Sequence, residues 1–441
     1  MIGHEIGDNW SMASPDAAIT DRLFKFIDGA PSPFHAAASA EAILLEAGFD
    51  SLAETDDWSS LRGAHVVRRG GALLAFDLPD IDPELIEFRL VGAHTDSPNL
   101  RIKPQPDVNS VGYNLLGVEI YGGPLLNSWL DRDLGLSGRA VVRDGESEET
   151  VLFAMNEPLL RVTQLAIHLD RDVNEGLKLD RQRHLAPIWG LGSPTKNGFA
   201  AFLAEHLGTQ PDQLVAWDAM VHDLTPSARL GRKGEMYAAP RIDNLASTHA
   251  STEALVTAAS SHQDNVVPVI ALFDHEEIGS SSATGAGSPL LANTLERLVS
   301  ALGGSREDLH RAVSRSWCVS ADGAHAVHPN YTERHEPDHH VHLNQGPVVK
   351  LNANVRYASD AETVARFAAA CTSAGVPMQQ YAHRTDLACG STIGPVTATN
   401  LGIRVVDVGS AQLSMHSARE LGGAHDPSYL TQALGAFLGG A

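Results

Sequence analysis

The stretch Val266-Val-Pro-Val-Ile-Ala-Leu-Phe273, followed by Asp274-His-Glu-Glu-Ile-Gly-Ser280, decides how this chain is read. Its first half is an unbroken apolar run rich in Val and Ile, without polar alternation, as a strand buried on both faces of a parallel sheet requires. Four acidic or imidazole side chains follow at once, then glycine and a serine-rich loop. In an open α/β sheet, ligands bind just outside the carboxyl ends of the strands, so chemistry is expected here. Adjacent glutamates at a strand end point in different directions, so one of Glu276 and Glu277 can hold a metal while its neighbour takes a proton from metal-bound water. An adjacent Glu pair alone is equally a solvated acidic loop. Its weight comes from four other strand ends that carry metal-ligand residue types.

Working outward, Phe88-Arg-Leu-Val-Gly-Ala93 is a predicted strand ending in His94-Thr95-Asp96. Ala239-Pro-Arg-Ile-Asp243-Asn244 leads into an Ala-rich helix running to about Ser260. Trp317–Ala321 ends at Asp322, and the strand Leu401–Val408 precedes Gln412-Leu-Ser-Met-His416. Ile19, Leu23 and Ile27 recur every fourth position between Pro15 and Gly29, the period of an amphipathic helix. Ser32 is placed to cap a second helix to about Gly48, and Gly70-Gly71 joins two strands of a hairpin. Further helices are predicted near Pro289–Leu302 and Ala361–Ala374, and a last one from near Tyr429. From about Leu100 to Gly234 the rhythm changes to short alternating segments separated by Gly, Pro and charged turns, with a helical pattern near Ala200–Leu207 and a strand-like Gln213–Val221. The expected fold is α/β: a central mixed, mostly parallel sheet flanked by helices, formed by 13–99 and 235–441, with a β-rich insertion over 100–234.

Composition narrows the function classes. A chain of 441 residues exceeds one typical core. With 43% hydrophobic and 20% charged residues it is globular. The formal charge of −22 argues against nucleic acid, whose phosphates need a basic field. No apolar run reaches the roughly 18 residues of a membrane span, and the early Glu5 and Asp8 do not suit a signal peptide. Three cysteines without a CxxC pair suit a reducing compartment, so a cytoplasmic protein is expected, its first dozen residues disordered.

His94, Asp243, the Glu276/Glu277 pair, Asp322 and His416 all follow strand-like segments. Mixed His and carboxylate ligands with an open position characterise catalytic rather than structural zinc. Five groups exceed what one tetrahedral ion needs, whereas two ions about 3.5–4 Å apart and bridged by a carboxylate would use them all. On an extended segment, residues i and i+2 face the same way, so Asp96 can receive the second imidazole N–H of His94. Singly, each of these residues is more often a satisfied structural group than a ligand; jointly they favour a metal site. The histidines His328, His335, His339, His340 and His342 fit a solvated loop, with His325 set apart because it lies three residues past Asp322. Lys350, within the apolar strand Pro347–Leu351, is either a snorkelling edge lysine or a cation aimed into a pocket for an anionic side chain. A GxSxG elbow, a Walker A sequence, a dinucleotide fingerprint and HExxH are absent.

Long ordered strings carry a resemblance: Ser32-Pro-Phe-His35, His94-Thr-Asp-Ser-Pro-Asn-Leu-Arg-Ile-Lys-Pro104, Leu130-Asp-Arg-Asp133, Ala166-Ile-His-Leu169, Pro240-Arg-Ile-Asp-Asn-Leu245, Asp274-His-Glu-Glu-Ile-Gly-Ser280, Ser320-Ala-Asp-Gly-Ala-His-Ala-Val-His-Pro-Asn330, Cys389-Gly-Ser-Thr-Ile-Gly-Pro395 and Met415-His-Ser-Ala-Arg-Glu420. Together they resemble the aspartyl aminopeptidase family, relatives of vacuolar aminopeptidase I among dinuclear zinc exopeptidases. The resemblance implies two divalent ions, zinc or else manganese or cobalt, with Asp243 bridging. His94 and Asp322 would complete one coordination sphere, Glu277 and His416 the other. Glu276 would be the general base and Asp96 would orient His94. It also implies that the insertion is a lid and assembly domain in a homododecamer, with His168 reaching a neighbouring subunit's site to steady the oxyanion. His325 and Lys350 would belong to the pocket for an acidic N-terminal residue of a short peptide. The −22 field opposes entry of acidic peptides, so Lys350 must win locally. A preference for neutral, Leu-type residues, a deacylase or carboxypeptidase-like hydrolase on the same centre, and an inert assembly shell are the alternatives. The intact ligand and base positions weigh against the last.

Overall fold

The run Val266–Phe273 forms a strand in which every residue is buried, inside a nine-stranded sheet. The computed structural model describes residues 15–193, 197–261 and 263–441, so the expectation of disorder in the first dozen residues lies outside it. Across the sheet the strands are Asp50–Ser51, Gly63–Arg69, Ala72–Leu78, Val266–Phe273, Glu87–His94, Trp317–Ala321, Arg404–Gly409, Val348–Leu351 and Gln379–Ala382. Val266–Phe273, Glu87–His94, Trp317–Ala321 and Arg404–Gly409 run parallel side by side. Antiparallel pairing begins on either side of these four, so the sheet is mixed, as the sequence predicts. Phe273 lies opposite His94 and Ser320 opposite Gly92, so three parallel strands end level with one another. That shared end gathers the polar residues that follow them.

Both faces of the sheet are covered. Leu23, Ile27, Leu44, Ile270, Val319 and Leu434 belong to one apolar cluster, and Trp58, Phe76, Phe88, Val269, Leu295 and Val405 to another. Burial on both faces explains why Val and Ile run on without polar alternation. The helix Ile242–Ala259, rich in Ala, Ser and Thr, has fourteen buried positions and packs on the terminal helix Asp426–Leu438. Small side chains let two helices and the sheet approach closely.

The first helix is Ala17–Gly29, capped by Asp16, and the second is Pro33–Glu46, with Ser32 accepting the His35 N–H and proline in the first turn. Three elements escape the apolar-periodicity reading. The helix Arg306–Arg315 buries only Ala312 and is set by a Ser305/Asp308 capping box. The helix Ile393–Leu401 takes the first residue expected of the following strand. Gly402, at φ +67, ends that helix, and the strand starts only at Arg404. Gln379–Ala382 is a short strand at the sheet edge. The last helix begins at Asp426 rather than near Tyr429, with proline in its first turn.

Residues between Asn99 and Asp223 supply an all-antiparallel six-stranded sheet ordered Ser147–Leu160, Leu134–Asp144, Leu214–Asp223, Asn99–Ser110, Tyr113–Tyr121 and Ile188–Leu191. It has its own core, including Leu100, Leu116, Leu136, Phe153, Leu203 and Phe199 of the helix Gly198–Leu207. A third, five-stranded sheet joins Ala228–Leu230 and Met236–Ala239 to Glu420–Gly423, Ala411–Leu413 and Ala324–His325. Among the described residues no helix is long and apolar enough to cross a membrane. The three cysteines are free thiols.

Candidate metal centre

His94 closes the strand Glu87–His94, and Asp322 directly follows the parallel strand Trp317–Ala321. Beyond Phe273 the chain turns at His275 (φ +66) into a short 3-10 turn that presents Glu276 and Glu277. Asp243 lies at the start of the helix Ile242–Ala259, after Arg241 at φ +55, and its peptide bond to Asn244 is cis. His416, also left-handed at φ +66, follows the strand Ala411–Leu413. Non-glycine residues seldom adopt this backbone, and it clusters where surrounding structure fixes a functional geometry.

The six side chains converge. His94 Nε2 lies 3.3 Å from Asp243 Oδ1, 3.5 Å from Asp322 Oδ1 and 3.9 Å from Glu276 Oε2. His416 Nε2 lies 3.6 Å from Asp243 Oδ2 and 3.3 Å from Glu277 Oε2. Two three-donor groups result, His94/Asp243/Asp322 and Asp243/Glu277/His416, and Asp243 turns one oxygen toward each imidazole. His94 also groups with Glu276 and Glu277.

Electrostatics and unmet hydrogen bonding both fit divalent cations. Burial, together with Asp322 and Asp243, pushes the Glu276 carboxyl up to about 8 against the opposing pull of His94. Burial and Asp243 hold Glu277 well above the ordinary carboxylate range. Burial would lower His416, but its bond to Asp243 wins and raises it to about 10. His94 is likewise raised despite burial, by Asp243, Asp322 and Asp96. Four carboxylates thus crowd two imidazoles that are driven to carry protons, the state expected where positive charge is wanted. Asp243 Oδ1 and Glu277 Oε1 are buried without a hydrogen-bond partner, which native structures rarely tolerate. Carboxylate and imidazole donors with an open side suit zinc, manganese or cobalt.

Around this centre Asp96 does more than the sequence suggests. His94 Nδ1 is 3.0 Å from the Asp96 main-chain oxygen and 3.3 Å from its carboxylate. That carboxylate accepts the Tyr121 hydroxyl at 2.6 Å and the N–H groups of Glu276 and Glu277 at 3.1 Å. Asp96 therefore fixes the glutamate turn as well as the imidazole. Tyr121 is legible in the sequence only as a strand residue. Glu420, in sequence only the end of the string Met415–Glu420, is buried and accepts the N–H groups of Asp243 and His416. Its one sequence signal is an acid opening the otherwise apolar Glu420-Leu-Gly-Gly423 strand.

A cavity of about 450 Å³ opens onto the centre, lined among others by His325, Lys350, Tyr357, Thr392, Val396 and Met415. Lys350 is 2% exposed on a strand paired on both sides, so the snorkelling edge reading is overturned. Its Nζ donates to the Gly323 carbonyl at 3.0 Å, lies 3.8 Å from Asp322 Oδ2, and sits 5.0 Å from the Tyr357 ring centroid. The His325 ring meets Tyr381 edge-on at 6.2 Å. His168 is exposed in a turn of the 100–234 span, where the Leu169 N–H bonds the Ala166 carbonyl, and does not line this cavity. Among the described residues the other loop histidines form no three-donor group.

Comparison with known proteins follows the same lines. The family described as "Aminopeptidase I zinc metalloprotease (M18)" matches residues 26–438. The "Probable M18 family aminopeptidase 2" of Streptomyces coelicolor is 54% identical over 426 residues, covering 96% of this chain and 98% of that protein. Among solved structures, the cryo-EM structure of the Ape4 and Nbr1 complex superposes with a TM-score of 0.91 at 33% identity, over 97% of this chain and 87% of that one. The S. cerevisiae mApe1 dodecamer gives a TM-score of 0.83 at 26% identity, over 96% of each chain.

Proposed function

This chain belongs to the M18 family of aminopeptidase I zinc metalloproteases, and we propose that within it the protein removes single acidic residues from the N-termini of short peptides. In this reading His94, Asp243 and Asp322 hold one ion and Asp243, Glu277 and His416 a second. Zinc is the family's metal, and manganese or cobalt would suit the same donors. When bound, such cations supply Lewis acidity and make water a better acid near neutral pH.

The remaining steps belong to the chain's own residues. Glu276 faces the same space as His94 Nε2, and its backbone is held by Asp96. It takes a proton from the attacking water and returns it to the leaving amine. Asp96 keeps the His94 ring and the glutamate turn in place. Lys350 receives the acidic side chain of the first residue, with His325 on the same wall. We assign 13–99 and 235–441 to the catalytic unit and 100–234 to a lid and assembly unit. His168 acts from a neighbouring copy, donating to the oxygen that gains charge, within a homododecamer like that of S. cerevisiae mApe1. Its exposed turn supports this: Leu165, Ile167 and Leu169 around it are 55%, 50% and 75% exposed, a surface that a second copy would cover.

The observation that carries the reading is one cavity holding both three-donor groups, Glu276 and a buried lysine. A preference for neutral residues is favoured by one feature: Lys350 already donates to Gly323 and lies near Asp322, beside apolar Val396 and Met415. Hydrolysis of Asp-, Glu- and Leu-aminoacyl reporters, with chelator and with added Zn, Mn or Co, decides between them. Selective, chelator-sensitive turnover of the acidic reporters is expected. Turnover of the Leu reporter alone would keep the peptidase and discard the acidic pocket.

A further inference from the structure

We propose that Glu420 is a positioning residue that presets the second half of the metal centre, its carboxylate holding Asp243 and His416 at the spacing a divalent cation needs. The proposal rests on the ligand assignment above. Glu420 is 2% exposed. Its Oε2 accepts the Asp243 N–H at 2.9 Å and its Oε1 the His416 N–H at 2.7 Å. Asp243 and Glu420 are 177 residues apart in sequence, so no local element relates them. Neither ligand has default backbone geometry: His416 is left-handed, and Asp243, at φ −82 and ψ 107, departs from the helix in which it lies. Pinning both N–H groups to one carboxylate selects these conformations over their alternatives.

The strand ladder fixes that carboxylate in turn. Glu420 pairs with Ala239 and Leu421 with Ala238, which places Glu420 beside the segment leading to Asp243. The far side of the His416 loop is held independently by the inserted span. Gly123 O lies 3.1 Å from His416 Nδ1, Leu125 N–H donates to the His416 carbonyl, and Ser128 Oγ accepts the Ala418 N–H. The loop is thus held from two directions with His416 Nε2 left free toward Asp243 and Glu277. Glu420 itself belongs to neither three-donor group.

The side-chain type is specific. Two converging N–H donors need two acceptor oxygens, which a carboxylate offers; an amide offers one and opposes the other donor with its own N–H. A carboxyl group buried beside Asp243 is also a poor way to stabilise a fold, which points to geometry as the reason for it.

The test is zinc titration of metal-stripped wild type and Glu420→Gln by calorimetry, with cobalt absorption as a second readout. Wild type should bind two ions. Because Asp243 serves both groups and His416 only one, the variant should bind the ion of the Asp243/Glu277/His416 group roughly 10–100-fold more weakly, with a smaller loss at the other. Raised zinc should restore its kcat, with KM unchanged. A purely structural role would instead lower the melting temperature of the metal-free variant and leave both affinities intact. Wild-type affinities for both ions in Glu420→Gln would overturn the proposal while leaving the ligand assignment standing. Two ions still bound with wild-type affinity in Glu277→Ala and His416→Ala would sink the ligand assignment, and this proposal with it. Should Glu420→Gln not fold, Glu420→Asp, which keeps the charge but falls one methylene short, is judged by the same criterion.

Discussion

The strand Val266–Phe273 of the central sheet is buried along its whole length, whereas Ser147–Leu160 of the inserted sheet opens with four exposed residues. Helices cover both faces of the central sheet, and the metal-ligating residue types gather where its strands end. The level ends of three parallel strands bring them to one edge. The antiparallel inserted sheet meets solvent, and the span that carries it leaves Val111, Leu169 and Leu191 92%, 75% and 75% exposed, the first two in turns. The first region assembles its site within one chain. The second presents apolar surface that one chain leaves uncovered. Enclosure gathers the donors of the first region at one edge, and incomplete burial leaves apolar side chains of the second open to solvent.

Four measurements can break or sharpen that contrast. The largest effect is expected in the enclosed region: Glu276→Gln should cost roughly 10²–10⁴-fold in kcat while zinc content, measured on the purified variant, stays at the wild-type level. Activity surviving that change would remove Glu276 from its role as base. Next comes the inserted region, where His168→Ala should lower kcat by about 10²–10³-fold without altering the melting temperature, because the side chain is exposed. Mixing His168→Ala with Glu276→Gln subunits should regain part of the activity, and a mixture as inactive as its components would place His168 outside a neighbour's site. Lys350→Met should reduce turnover of the Asp reporter on the order of 10–100-fold and spare the Leu reporter. A loss of about 1.4–2.7 kcal/mol corresponds to that range. Equal losses on both would make Lys350 a support for Asp322 rather than a specificity residue.

The smallest effect concerns the seam between the regions. His222, on an inserted strand, is pushed down to about 3 by burial and then Arg241. His35, on a helix of the central unit, is pushed down to about 4 by the same two causes. His249 is depressed to about 4 by burial. A depressed imidazole stabilises the fold fully above its unfolded value of about 6.5, and that stability is lost as pH falls toward the folded value. The metal-free protein should therefore lose melting temperature between about pH 6.5 and 4. Asp426, pushed up to about 7 by burial, contributes in the opposite sense, losing stability as pH rises toward 7. A tenfold change in proton affinity between folded and unfolded chain is worth about 1.4 kcal/mol, so His222→Asn should visibly flatten the acid limb of a melting-temperature profile. An unchanged slope would exclude the seam as the acid-sensitive element.

Much of the fold is legible in the sequence because its signals are dense and local. The apolar run before Glu276 announces a buried strand, and Ser32-Pro33 announces a helix start, since capping and burial depend on neighbours a few residues away. Arg306–Arg315 is not legible, because a helix burying one alanine has no apolar stripe to betray it. Tyr121 and Glu420 are not legible as parts of the site because each acts through contacts to residues far away in the chain.

By itself the sequence determined which residue types lie at strand ends, that Glu276 and Glu277 are adjacent, and that the chain carries an excess of carboxylates. These follow from composition and short-range pattern. Only long-range folding makes Asp243 turn one oxygen to His94 and the other to His416, buries Lys350 in the same cavity, and sets Asp96 and Glu420 against the main chain and side chains of that cluster. Those facts depend on strand order, register and the crossing of distant loops. Such long-range geometry is selected by the burial of the whole chain at once, and no short window of sequence encodes it.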